Sequence, residues 1–166
     1  QYIMNLIEGV GANMIYAYYE AGGGSSAAVQ TQQDSLTIDD MRAVQERVSG
    51  IEAASPMQEL HDRISIGGGK ERDILILGVG PGYRVVRSID VPAGRFFDDQ
   101  DTQARTKVAL VTSKFAVRMY GSEEAAVGQV IKMGGLPFTI IGTFKERVET
   151  FGLSEVADDN TVLIPY

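Results

Sequence analysis

The chain has 166 residues, 44% hydrophobic and 22% charged, which are the values of a globular domain and not of a disordered tail. Its formal charge of −7 argues against general binding to nucleic acid or to anionic lipid. It has no cysteine and one histidine, His61, so thiolate, cysteine–metal and multi-histidine chemistries lack their groups.

No run reaches the roughly 18 apolar residues of a membrane span, and no signal peptide opens the chain. Beginning at Gln1, the chain reads as an excised piece. Ile3 to Ile7 is a short apolar segment, and Gly9 and Gly11 follow it as helix breakers. Asn13 to Tyr19 is rich in aromatics and reads as a strand. Ala21 to Asp34, with consecutive glycines followed by Ser, Ala and Gln, reads as a linker. At Thr37-Ile38-Asp39-Asp40 a helix begins, with Thr37 as cap and two aspartates at the positive end of the dipole. Ile38, Met41, Val44 and Val48 give it one apolar stripe, and Gly50 stops it. Ile51 to Pro56 is expected to begin the next strand, completing a β–α–β order.

Leu60–Ile66 and Arg72–Val79 flank Gly67-Gly68-Gly69-Lys70 as a hairpin. Pro81-Gly82-Tyr83 turns the chain, and Gly94-Arg95-Phe96-Phe97 is a second turn carrying two aromatic anchors. Lys107 to Thr112 reads as a buried strand. Ser113 to Tyr120 is a helix capped by Ser113 and stopped by Gly121. Gln129–Met133 and Phe138–Thr143 form another hairpin around Gly134-Gly135, and Val162-Leu163-Ile164 is a last short strand. The six methionines are spread along the chain and read as core filling.

Gly78-Val79-Gly80-Pro81-Gly82 follows an apolar strand in the manner of a dinucleotide-binding loop. Tyr83 occupies the sixth position, however, Pro81 removes an amide, and no amphipathic helix is expected after Tyr83. A strand-ending turn explains it better. Lys70 after its glycines lacks the spacing of a phosphate loop. Asp98, Asp99 and Asp101 lack the glycine and glutamate of a calcium loop and read as helix caps or a turn. His61 and Asp62 are neighbours on a strand, so they face opposite sides and make a poor catalytic pair. Glu155, Asp158 and Asp159 form an acidic run that reads as a solvated loop. Catalytic, cofactor-binding and metal sites are therefore all expected to be none.

Several segments in order carry a resemblance. They are Gly11-Ala12-Asn13-Met14-Ile15, Leu36-Thr37-Ile38-Asp39-Asp40, Val91-Pro92-Ala93-Gly94-Arg95-Phe96-Phe97, Lys107-Val108-Ala109-Leu110-Val111, Gly128 to Lys132 with Gly134-Gly135, and Pro137 to Gly142. Together they make the chain resemble the extracytoplasmic core domain of MacB-like ABC transporter permeases. The resemblance implies an α+β fold, with a porter-like β–α–β part (residues 1–57, with 158–166 returning to it) and an inserted small β-rich subdomain (58–157). It implies a non-catalytic periplasmic domain at the inner membrane that couples ATP-driven motion of membrane helices to export or efflux. Ile3–Ile7 would then continue a membrane helix outward. The partners implied are membrane helices of the same chain, a second permease copy, a cytoplasmic ATP-binding subunit or domain, and a periplasmic adaptor or lipoprotein; no nucleic acid is expected. Gly94, Arg95, Phe96 and Phe97 are expected to be structural. The alternatives are a lipoprotein-release permease domain, a ligand-binding sensor with a pocket lined by Tyr16, Tyr18 and Phe97, and a Rossmann-type enzyme needing a parallel sheet with a helix after Gly82.

Overall fold

The computed structural model describes residues 3–9, 12–18, 36–66, 69–146 and 159–166. Two strands, β1 (Ile3–Gly9) and β2 (Ala12–Tyr18), pair antiparallel from Ile3↔Tyr18 to Gly9↔Ala12 and form a ribbon of their own. This corrects the expected helical extension at Ile3–Ile7. The β-prone 12–18 stretch offers this segment an antiparallel ladder. The linker expected at Ala21–Asp34 lies outside the described residues.

Helix α1 (Ile38–Arg47) starts where the sequence places it. Thr37 Oγ1 accepts from the Asp40 amide at 3.2 Å, and the Asp40 carboxylate accepts from the Thr37 amide at 2.8 Å. Its apolar stripe is covered only in part: Ile38 and Met41 are half-buried, while Val44 and Val48 are exposed. Residues 51–56 carry no strand pairing, against the expectation of a strand there. Pro56 has no amide to give a ladder, and the Ser55 hydroxyl is engaged with the Gly80 amide at 3.0 Å. The β–α–β order along the chain is kept, with its two strands in different sheets.

The body is a seven-stranded mixed sheet of β3 (Met57–Ser65), β4 (Glu71–Val79), β5 (Ile89–Asp90), β6 (Val108–Thr112), β7 (Val130–Met133), β8 (Leu136–Glu146) and β9 (Thr161–Pro165). The order is β3-β4-β9-β6-β8-β5, with β7 paired to the first part of β8. β4 runs parallel to β9 and β6 parallel to β8, and the remaining pairs are antiparallel. Successive residues of the central strands feed opposite faces. Ile74, Ile76, Ala109, Val111 and Val162 enter one core, and Leu77, Val79, Val108, Leu110 and Leu163 enter the other. Burial on both faces is why β4, β6 and β9 read as continuous apolar runs.

Helices α4 (Ser113–Tyr120) and α5 (Glu123–Ala126) cover the first face with Phe115, Ala116 and Ala126. Helix α2 (Tyr83–Val86) and the turn before α3 (Asp99–Gln103) cover the second with Tyr83, Phe96 and Phe97. The cap of α4 is Thr112, correcting Ser113: Thr112 is the last extended residue, and its Oγ1 accepts from the Phe115 amide at 3.1 Å. Of the methionines expected as core filler, Met133 is buried while Met57 is exposed.

Candidate functional site

The turn Gly94–Phe97 crosses the middle of β8. Gly94 bridges Gly142, and the Arg95 amide donates to the Ile141 carbonyl at 2.9 Å. The Phe96 and Phe97 rings lie 4.3 Å apart, tilted, and both are buried in the second core. Arg95 reaches back over the turn. Its Nη1 donates to Asp101 Oδ2 at 2.6 Å and to the Phe96 carbonyl at 3.1 Å, and its Nη2 donates to Asp101 Oδ1 at 3.2 Å. The Arg95 hydrogen bond holds the Asp101 carboxyl below its ordinary value. Asp101 in turn accepts from the Asp98 amide at 3.1 Å, and Asp98 accepts from the Asp101 amide at 3.0 Å. The acidic trio is thus a helix cap tied to an arginine, and no group of carboxylates suited to a metal ion occurs among the described residues.

After Gly78–Gly82 the chain enters the one-turn helix α2, which begins at Tyr83 and spans four residues. The space a pyrophosphate would need is filled by chain: a Cβ on Gly82 would collide with the Ala54 carbonyl, and Gly80 lies against Pro56. The glycines admit the 54–56 segment, not a ligand. His61 lies on β3, an edge strand of the sheet, with Nε2 3.1 Å from Glu59 Oε1. Asp62 faces away from it and accepts from the Gly134 amide at 2.6 Å. Asp159 pairs with Lys114 at 3.1 Å, while Glu155 and Asp158 fall outside the described residues.

A cavity of about 310 Å³ opens between β3, α4 and β7, lined by residues that include Ile64, Met119, Tyr120 and Lys132. None of Tyr16, Tyr18 or Phe97 lines it, and Phe97 is embedded in the core. The aromatic pocket that a sensor reading requires is not formed from those three rings.

One cluster escaped the sequence reading. Arg87, just after α2, donates Nε and Nη2 to the two oxygens of Glu146 at 3.3 and 2.8 Å. Its Nη1 donates to the Tyr16 hydroxyl of β2 at 2.6 Å and approaches Met14 Sδ at 4.0 Å. The Arg87 and Glu146 side chains are 9% and 4% exposed. Burial works against the guanidinium charge, but the Glu146 hydrogen bond and charge outweigh it, and its pKa lies above the ordinary value. The partners are 59 and 71 residues apart in the chain, so no local spacing could have announced them.

Family comparison matches residues 1–166 to the MacB-like periplasmic core domain. The macrolide export ATP-binding/permease protein MacB of Bdellovibrio bacteriovorus is 29% identical over 131 residues, 78% of this chain and 19% of that protein. The probable syringafactin export ATP-binding/permease protein SyfD of Pseudomonas syringae pv. tomato is 29% identical over 156 residues, 91% of this chain and 22% of that protein. The chain therefore spans about a fifth of these curated relatives. Among solved structures, the periplasmic region of MacB from Actinobacillus actinomycetemcomitans matches with a TM-score of 0.64 at 20% identity, over 90% of this chain and 63% of that one. The extracellular domain of the noncanonic ABC-type transporter YknZ from Gram-positive bacteria matches with a TM-score of 0.60 at 22% identity, over 78% and 62%. At these identities the structures speak for the fold, an α+β arrangement around a mixed sheet. With that fold and a match running the full 166 residues, the chain belongs to the MacB-like periplasmic core domain family.

Proposed function

We propose that this chain is the periplasmic part of an ABC-type export permease at the inner membrane, and that it relays movement of membrane helices to periplasmic partners without chemistry of its own. The observation that carries the reading is the family match over residues 1–166. Relatives named as export ATP-binding/permease proteins support it. The partners in this reading are the membrane helices of the same polypeptide, a second permease copy, a cytoplasmic ATP-binding domain or subunit, and a periplasmic adaptor or lipoprotein. The division into a porter-like part (1–57 with 158–166) and an inserted β-rich part (58–157) belongs to the same proposal. In it β9, counted with the porter-like part, pairs with β4 and β6 of the inserted part. The engagement of Asp98 and Asp101 in a helix cap, and of His61 on an exposed strand, supports a non-catalytic role.

A relay needs a stiff root. In the full-length permease, a flexible Gly/Ser segment inserted ahead of Ile3 is expected to abolish export while ATP hydrolysis continues, because such linkers transmit little force. His61→Ala is expected to leave export unchanged. Export that survives the insertion, measured beside hydrolysis, would defeat the relay reading.

A further inference from the structure

We infer that Arg87, clamped by Glu146, is the seat that fixes the β1–β2 ribbon in register on the seven-stranded body, with Tyr16 as the ribbon's contact. Among the described residues the ribbon is a sheet of its own and pairs with no strand of the body. What joins them here is side-chain chemistry. Ile89 of β5 opposes Glu146 of β8, which sets Arg87 and Glu146 together at the end of the body where the ribbon lies. The carboxylate takes Nε and Nη2 in a fork, and Nη1 is turned to the ribbon, where the Tyr16 oxygen accepts at 2.6 Å. The Arg87 side chain as a whole is 9% exposed, and weakening a hydrogen bond to a buried charged group is costly.

The contact also reads register. Side chains alternate along a strand, so Met14 and Tyr16 share one face of β2. A slip by one residue would present the side chains of Ile15 and Ala17 to Arg87, and neither side chain can accept a hydrogen bond. An ion pair suits a seat better than an apolar patch would. When the ribbon lifts, both charges can be hydrated again.

The consequence for transport rests on the relay reading; the docking does not. Two variants of the full-length permease test it. Tyr16→Phe keeps the ring and removes the hydroxyl. The double variant Arg87→Met with Glu146→Leu removes the charges together, so that neither is left buried alone. Amide hydrogen exchange is expected to rise at least about tenfold across residues 12–18 in each variant, with β4, β6 and β9 unchanged. Unchanged exchange in the ribbon, or an equal rise throughout the body, would overturn the inference. Export measured on the Tyr16→Phe permease is read separately: loosened docking with full export would overturn the relay reading and leave the seat standing.

Discussion

The crossing of Gly94 over Gly142 leaves no room for a Cβ on either residue, because each would run into a backbone carbonyl of the other segment. Gly94 also holds φ at +74°, a conformation that costs other residues strain. Gly94→Ala is therefore expected to cost more than about 2 kcal/mol, and Phe97→Ala, at 2% exposure, about 3–5 kcal/mol. His61→Ala should fall within about 0.5 kcal/mol of the parent. Urea denaturation midpoints check all three, and a Phe97→Ala midpoint equal to the parent's would free that ring for a partner. The Arg95–Asp101 pair gives a pH test. The folded pKa of Asp101 lies below the ordinary value, so its contribution is complete above the unfolded pKa of about 3.9 and is lost as pH falls through the folded one. The stability gap between the parent and Asp101→Asn is thus expected to shrink from pH 7 to pH 3. A gap that widened in acid would sink this assignment. The two aromatics were legible in the sequence because a glycine turn followed by two rings has few other uses. The Arg95–Asp101 pair was half legible: the aspartates announced a cap, but nothing announced which cation would meet it.

At the scale of elements, legibility followed burial. β4, β6 and β9 are buried on both faces, and their apolar runs marked them. The hairpin β3–β4 was marked by its glycine tip. Errors came where local signals compete. Thr112 and Ser113 both cap well by residue type, and the choice fell to Thr112 because it is the extended residue leaving β6, while the Ser113 hydroxyl points to the Phe144 carbonyl at 3.4 Å. Ile3–Ile7 became a strand because its partner, 12–18, lies close in sequence and closes a hairpin. The one-turn helices α2 and α5 are too short to show any period. The stripe of α1 was visible, but a stripe records only that a face is apolar; it does not name what that face meets.

At the scale of the molecule, what the sequence could not convey is order. β9 comes last in the chain yet lies between β4 and β6, parallel to one and antiparallel to the other. Its Val162 and Leu163 are fully buried, one in each core, so a single short strand closes both faces of the sheet. No periodicity encodes such a placement, because the pairing partners are distant in sequence and the pattern of β9 is only that of any doubly buried strand. The placement has a consequence for cooperativity. Removing Thr161–Tyr166 strips β4 and β6 of their shared neighbour and opens both cores at once. Among the described residues the ribbon contributes no backbone pairing to the body, and it meets the body through side chains such as Tyr16 on Arg87. Deleting residues 161–166 is therefore expected to abolish cooperative thermal unfolding, whereas deleting residues 1–18 should preserve it with a midpoint within about 8 °C, the equivalent of a contribution near 2 kcal/mol at this size. Circular dichroism melts of the two truncations decide the matter. A sharp transition surviving the loss of β9, or vanishing with the ribbon, would mean that the folding unit is drawn around the wrong strands.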